Sequence, residues 1–171
     1  HEYLGYKTQI NLTLDGKCVS HEVDVLLLKD DLITMIECKF HSSTDAKTDV
    51  KVPMYILSRF NDLKEKKYKL FGQLRFINFC LIVTNNKFTE DALAFAKCSN
   101  LKMLSWDYPP QNGLREIIDR LKIYPITCLT TLTLNEKEQL LAVNIITVKE
   151  KKKKKNWLNN LELSEVRIQR V

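Results

Sequence analysis

Nowhere in the 171 residues is there an apolar run of the roughly 18 residues that a membrane-spanning helix needs, and no signal-peptide pattern opens the chain. Cysteine pairing is missing as well. The five cysteines (Cys18, Cys38, Cys80, Cys98 and Cys128) are odd in number, scattered, and contain no CxxC pair. That argues against a disulfide framework or a structural zinc site and for reduced thiols in the cytoplasm. A broadly basic body is absent too. The net charge is +6, but Lys151–Lys155 supplies five of those charges, so the remainder carries only +1. A surface that grips nucleic acid by bulk charge is therefore not expected. The lysine run reads as a flexible phosphate-binding patch or, more simply, as a solvated linker. The chain opens on His1 rather than Met, which reads as a fragment or a processed chain.

What is present is concentrated in residues 21–39, HEVDVLLLKDDLITMIECK. Two β-rich segments, ending at Leu28 and starting at Leu32, flank the polar break Lys29-Asp30-Asp31. If Asp30 and Asp31 are the turn centre, residues whose numbers sum to 61 face each other. Asp24 then lies opposite Glu37, and Glu22 opposite Lys39. Directly opposed residues have Cβ atoms about 4.5–5.5 Å apart, and positions i and i+2 share a face. Glu22, Asp24, Glu37 and Lys39 are thus expected as one cluster, with Val23, Val25, Ile36 and Cys38 turned into the core. A slip of one residue would undo this.

Two adjacent carboxylates repel unless one is protonated or a cation lies between them. Oxygen donors at that density suit Mg²⁺ or Mn²⁺ rather than zinc. Such an ion polarises a phosphoryl oxygen and acidifies a bound water, and a neighbouring lysine stabilises the developing charge. The plain alternative is a salt-bridged, solvent-facing hairpin.

Asp24 followed by Glu37-Cys38-Lys39 resembles the PD-(D/E)XK signature of the restriction-endonuclease-like superfamily. Residues 81–109, LIVTNNKFTEDALAFAKCSNLKMLSWDYP, resemble the second half of Mrr-type restriction endonuclease domains. The resemblance spans roughly residues 6–122. It implies a metal-dependent DNA endonuclease, with Asp24 and Glu37 as metal ligands, the Cys38 carbonyl as a third, and Lys39 as the catalytic lysine. Val23 stands where the usual motif has proline. Glu22 lies outside the basic motif and is carried as an accessory acid. The alternative is a nuclease-fold domain with little cleavage, acting as a nucleic-acid-binding or regulatory module. DNA is the expected partner, and a homodimer and an upstream regulatory domain remain open.

The expected fold is α/β: a mixed central sheet with flanking helices (a restriction-endonuclease-like αβββαβ core) over 1–122, plus a small C-terminal helical domain over 123–171. Tyr3-Leu4-Gly5 reads as a helix end, 6–14 and 17–28 as strands around an Asp15-Gly16 turn, and 32–40 as the third strand. Pro53 suits the first turn of a helix reaching Asn61. Lys64–Lys69 reads as a connector and 77–84 as a buried, central strand. Thr89 caps a helix through Lys97, Leu101–Ser105 is a short strand, and 113–121 is an amphipathic helix. Lys51, Tyr55 and Arg59, on or just before the first long helix, are candidate phosphate contacts. His41 is a candidate for the same cleft. Beyond Pro125 the chain resembles helix-hairpin-helix modules, with Asn144, read as a left-handed helix end, where the hairpin glycine would be; a small structural or dimerising helical domain is the alternative. Asn135 and Ser164 read as N-caps of an internal repeat.

Overall fold

The computed structural model describes residues 2–43 and 46–153. The chain divides into two compact units, 1–116 and 117–171. The sequence boundary at 122 falls a few residues later, at the end of a helix that spans the division.

The first unit is built on a mixed sheet. Its strands are β1 (Lys7–Asp15), β2 (Ser20–Lys29), β3 (Leu32–Lys39), β7 (Phe79–Thr84) and β9 (Lys102–Leu104), in spatial order β1-β2-β3-β7-β9. Between them in sequence lie β4 (Lys47–Thr48), β5 (Tyr68–Leu70), β6 (Gln73–Arg75) and β8 (Lys87–Phe88). These form two small ribbons, β4 with β8 and β5 with β6, which the sequence reading missed. β1, β2 and β3 are antiparallel; β3, β7 and β9 are parallel. Helix α1 (Lys51–Lys64) lies between β3 and β7 in sequence, and α2 (Glu90–Cys98) between β7 and β9. The strand 77–84 is thus interior, though β3 holds the middle place.

The β2–β3 turn is as expected. Asp30 and Asp31 both have positive φ, +50° and +64°, the combination a two-residue type I′ turn needs to match strand twist. The pairs Lys29↔Leu32 through Val25↔Ile36 all sum to 61. The Asp15-Gly16 turn has a different logic. A Cβ on Gly16 would collide with the Asp62 carboxylate and the Val19 carbonyl, so only glycine lets the β1–β2 loop pack this closely on α1.

The core lies between the sheet and α1 and α2. Leu26, Ile33, Met35, Ile56, Leu63 and Ile82 are wholly buried there. Each such side chain contributes roughly 1.5–3 kcal/mol of burial. Thr89 caps α2 by accepting from the Ala92 N–H at 3.2 Å. Among the described residues no helix is long and apolar enough to cross a membrane.

All five cysteines are free, and Cys80 is the buried one. Burial, and then the charge of Glu37, pushes its thiol pKa up to about 12. In native protein at pH 8 a thiol reagent should label Cys18, Cys38, Cys98 and Cys128 but leave Cys80 until denaturant is added. Five equivalents consumed without denaturant would contradict this packing.

The second unit has its own small core of Ile126, Leu132, Leu140 and Ile145. Helix α3 (Leu114–Leu121) crosses the division; α4 (Leu134–Ala142) and α5 (Val148–Lys153) follow. Asn144 does take the left-handed conformation, at φ +55°. The cap of α4 is Thr133, not Asn135: Thr133 accepts from the Glu136 N–H, and Glu136 accepts in return from the Thr133 N–H. The sequence reading overlooked this Thr-x-x-Glu capping box. Thr147 and Glu150 make the same reciprocal pair before α5. Ser164 and Lys154–Lys155 lie outside the described residues.

Candidate functional site

The site grows out of a discontinuity at Asp24. Strand residues two apart share a face, yet Val23 and Leu26, three apart, sit in the same core. β1 shows the same reversal: Gln9 places its side-chain oxygen inside, Ile10 is exposed, and Leu12 packs on the core. The β1–β2 register is continuous except at Asn11 and Asp24, and Asn11 has φ +52°. The β2–β3 ladder stops at Val25↔Ile36, one pair short of Asp24.

Asp24 fills the gap. Its Oδ2 accepts the Cys38 N–H at 2.7 Å, where a backbone carbonyl of β2 would otherwise do so. A strand residue points its N–H and C=O to the same side. The Cys38 carbonyl therefore faces the opening that holds the Asp24 carboxylate.

The face reversal also removes Glu22 from the cluster. Its side chain is exposed, and its carbonyl, not its carboxylate, contributes, by accepting from Arg59. The expected Glu22–Lys39 pairing is replaced by Lys39 with Glu37, Nζ to Oε1 at 2.7 Å. Cys38, expected in the core, is exposed. The two differences have separate origins. On β2, strand parity does not carry through Asp24, where the ladder opens. On β3 the alternation is unbroken, and it is the face of Ile33, Met35 and Glu37 that meets the main core, leaving Cys38 on the other face.

Glu37 is the buried heart of the arrangement, 4% exposed. Its Oε2 receives Arg59 Nη1 at 2.7 Å. A carboxylate so far from water is sustained by charge partners, and here there are two. Arg59 belongs to the inward stripe of α1 with Ile56 and Leu63. It is thus turned away from the phosphate-contact role expected from sequence. The missed signal was its place at helical spacing within an apolar stripe. Tyr55 stays exposed with its ring 5.6 Å from the Arg59 guanidinium, and Lys51 is exposed at the start of α1. His41 does not join the acids: its Nε2 lies 3.0 Å from Thr48 Oγ1 and its N–H donates to Asn85 Oδ1.

Beside the acids, on the other side of Arg59, is a cleft of about 600 Å³ whose lining includes Tyr55, Arg59, His21 and Asp62. His21 Nε2 lies 2.8 Å from Asp62 Oδ2. The backbone N–H groups of Cys18 and Val19 donate to the same carboxylate at 2.8 and 3.2 Å. Burial works against the Asp62 charge, but hydrogen bonds from His21, the Cys18 thiol and those two N–H groups outweigh it. They hold the carboxyl well below the usual carboxylate range. A depressed folded-state pKa adds stability above the unfolded value, near 4, and that stability is lost as pH falls toward the folded value. Asp62→Asn should therefore flatten the fall in urea-denaturation stability below pH 4 relative to wild type. An unchanged acid limb would mean that Asp62 is not so held.

Among the described residues no cluster of three or more His, Cys, Asp or Glu side chains is placed to hold a metal ion. What the site offers is two carboxylates and a main-chain carbonyl. A family model described as "AF1548-like, C-terminal" matches residues 124–171. An uncharacterized protein of Archaeoglobus fulgidus is 34% identical over 125 residues, covering 73% of this chain and 66% of that protein's length. A crystal structure of a protein of unknown function, AF1548, is similar over 99% of this chain and 87% of its own, at 29% identity and a TM-score of 0.78.

Proposed function

We propose that the first unit is a restriction-endonuclease-like domain that hydrolyses DNA phosphodiester bonds at Asp24, Glu37 and Lys39. The observation that carries this reading is the buried Glu37 carboxylate, bonded to Lys39 Nζ, beside a strand opening in which Asp24 is fixed to the Cys38 N–H. Acid, acid and lysine meet where the sheet opens. A salt-bridged surface hairpin would not bury its acid.

The donors fit a hard divalent cation such as Mg²⁺ or Mn²⁺. Asp24 spends Oδ2 on the Cys38 N–H, which leaves Oδ1 for another partner, and the Cys38 carbonyl faces the same opening. Asp24, the Cys38 carbonyl and Glu37 would hold the ion. When bound, it supplies Lewis acidity and an acidified water. The chain's own residues do the rest. Arg59 orients Glu37 by donating to its Oε2. Lys39, with a third of its side chain exposed, is the partner of Glu37 that reaches solvent. It is the group able to swing to a non-bridging phosphate oxygen and stabilise its growing charge.

The second reading, a binding or regulatory module without cleavage, has one observation in its favour. Both Glu37 oxygens are already engaged by cations, so the acid is charge-compensated as it stands. Nicking of supercoiled DNA with Mg²⁺ or Mn²⁺, run beside metal titration calorimetry, separates the two. Metal-dependent nicking lost on Lys39→Ala supports hydrolysis. Neither cleavage nor metal uptake supports the module.

A further inference from the structure

A second cleft, of about 420 Å³, opens where β3, β7 and β9 end. These strands are mutually parallel, so their C-terminal ends share one edge of the sheet, the edge where open α/β sheets place ligands. Phe40 follows Lys39 directly, Asn85 and Asn86 follow β7, and Trp106 lies just past β9. The volume lies within the range of small-ligand pockets.

Two large aromatics are left uncovered here: Phe40 is 81% exposed and Trp106 45%. The polar groups between them are already used. Asn85 exchanges hydrogen bonds with the His41 backbone, donating to its carbonyl and accepting from its N–H, both at 2.8 Å. Asn86 donates to the Ser43 carbonyl at 2.8 Å and accepts from the Lys87 N–H at 3.0 Å. The amides therefore fix the walls and have little capacity left to read a base edge. The rim is cationic. Lys87 lines the cleft, and Lys47 is its register partner in the parallel β4–β8 ribbon, so the two lysines spring from neighbouring backbone positions. Asp107, 3.4 Å from Lys87, offsets one of them.

We propose that this cleft binds single-stranded nucleic acid, stacking an unpaired base on Phe40 and Trp106 with its phosphate at Lys47 and Lys87. The inference deepens the hydrolysis reading by naming the substrate class, and rests on it for the partner. With its amides committed, the cleft holds bases by their faces, and recognition is tolerant of sequence. An unpaired segment seated there enters the chain's neighbourhood of Lys39 already splayed.

The test is fluorescence in EDTA, where no cleavage can occur. Trp157→Phe leaves Trp106 as the sole tryptophan. This chain is titrated with deoxythymidine and uridine oligomers of about twelve nucleotides, and with a blunt duplex of equal length. Single strands should quench Trp106 and bind more tightly than duplex, and the two oligomers tell DNA from RNA. Phe40→Ala should weaken single-strand binding roughly 5- to 150-fold, the range for one lost base–aromatic stack. Phe40 is so exposed that its removal leaves the core intact. Leu74→Ala, at a site 69% exposed away from the cleft lining, should change nothing. Absent quenching by both oligomers, or binding unchanged by Phe40→Ala, would overturn the proposal. Asp24→Asn keeps the two readings apart. Stacking intact with no metal-dependent cleavage in the parent chain strikes the hydrolysis reading alone. Cleavage with no Phe40-dependent binding strikes this inference alone.

Discussion

Replacing Arg59 with alanine should destabilise the first unit by about 3–5 kcal/mol, the usual consequence of removing one member of a buried ion pair. Glu37 and Arg59 side chains are 6% and 10% exposed, and the guanidinium also donates to the Glu22 carbonyl. Truncation thus strands a carboxylate, a backbone acceptor and a cavity beneath α1. Lys39 still neutralises Glu37 from its open side, which favours the lower end of the range. Arg59→Lys should recover only part of the loss, because a single ammonium cannot serve both acceptors in fork geometry. Adding Glu37→Gln to Arg59→Ala should restore stability relative to Arg59→Ala, since no unpaired charge is then buried. Urea denaturation of the four chains gives the comparison. An Arg59→Ala chain within about 1 kcal/mol of wild type would show that the pair is not buried in solution.

Asp24→Asn should lower metal-dependent nicking of supercoiled DNA by at least about 10²–10³-fold, the scale seen when one preorganised electrostatic group is lost. The asparagine variant is more informative than alanine. Its amide oxygen can still accept the Cys38 N–H, so the opening between β2 and β3 keeps its shape. Alanine would leave that N–H unpaired, costing roughly 1–3 kcal/mol of stability. A loss of activity in Asp24→Asn with an unchanged denaturation midpoint therefore reports on charge, not on fold. Lys39→Ala should fall by a similar factor. Wild-type activity in Asp24→Asn would remove Asp24 from the chemistry, whatever its place in the sheet.

These two predictions fall on different kinds of residue, and the difference follows how each could be read. Asp24, Glu37 and Lys39 were visible as a pattern because strand period and turn chemistry are local. The β2–β3 register depends on two residues, Asp30 and Asp31, adopting positive φ, and neighbouring alternation then fixes the rest. The α2 cap and the left-handed Asn144 were legible for the same reason. The capping box at Thr133 was equally local, but Asn135, with Glu138 three places on, offers a competing cap two residues later, and the sequence alone does not choose between them.

Arg59 was different. As a residue type it belongs on a surface, and only the arrival of β3 beneath α1, 22 residues away in sequence, makes an inward guanidinium favourable. Glu22 was misplaced for a related reason. Its face depends on Asn11 in another strand, whose positive φ coincides with the break at Asp24. Nothing within residues 21–39 signals that break. The cleft of Phe40 and Trp106 unites residues 66 positions apart, brought together only by parallel pairing of β3, β7 and β9.

By itself, then, the sequence determined the mixed α/β class and the β2–β3 hairpin register, because backbone sterics and period-two alternation act over a few residues. The tertiary structure decided which charges meet: Lys39 and Arg59 on Glu37, and Asp24 on the Cys38 N–H. Those choices minimise the cost of burying a carboxylate and of opening a ladder, and both costs exist only once the sheet and α1 have come together.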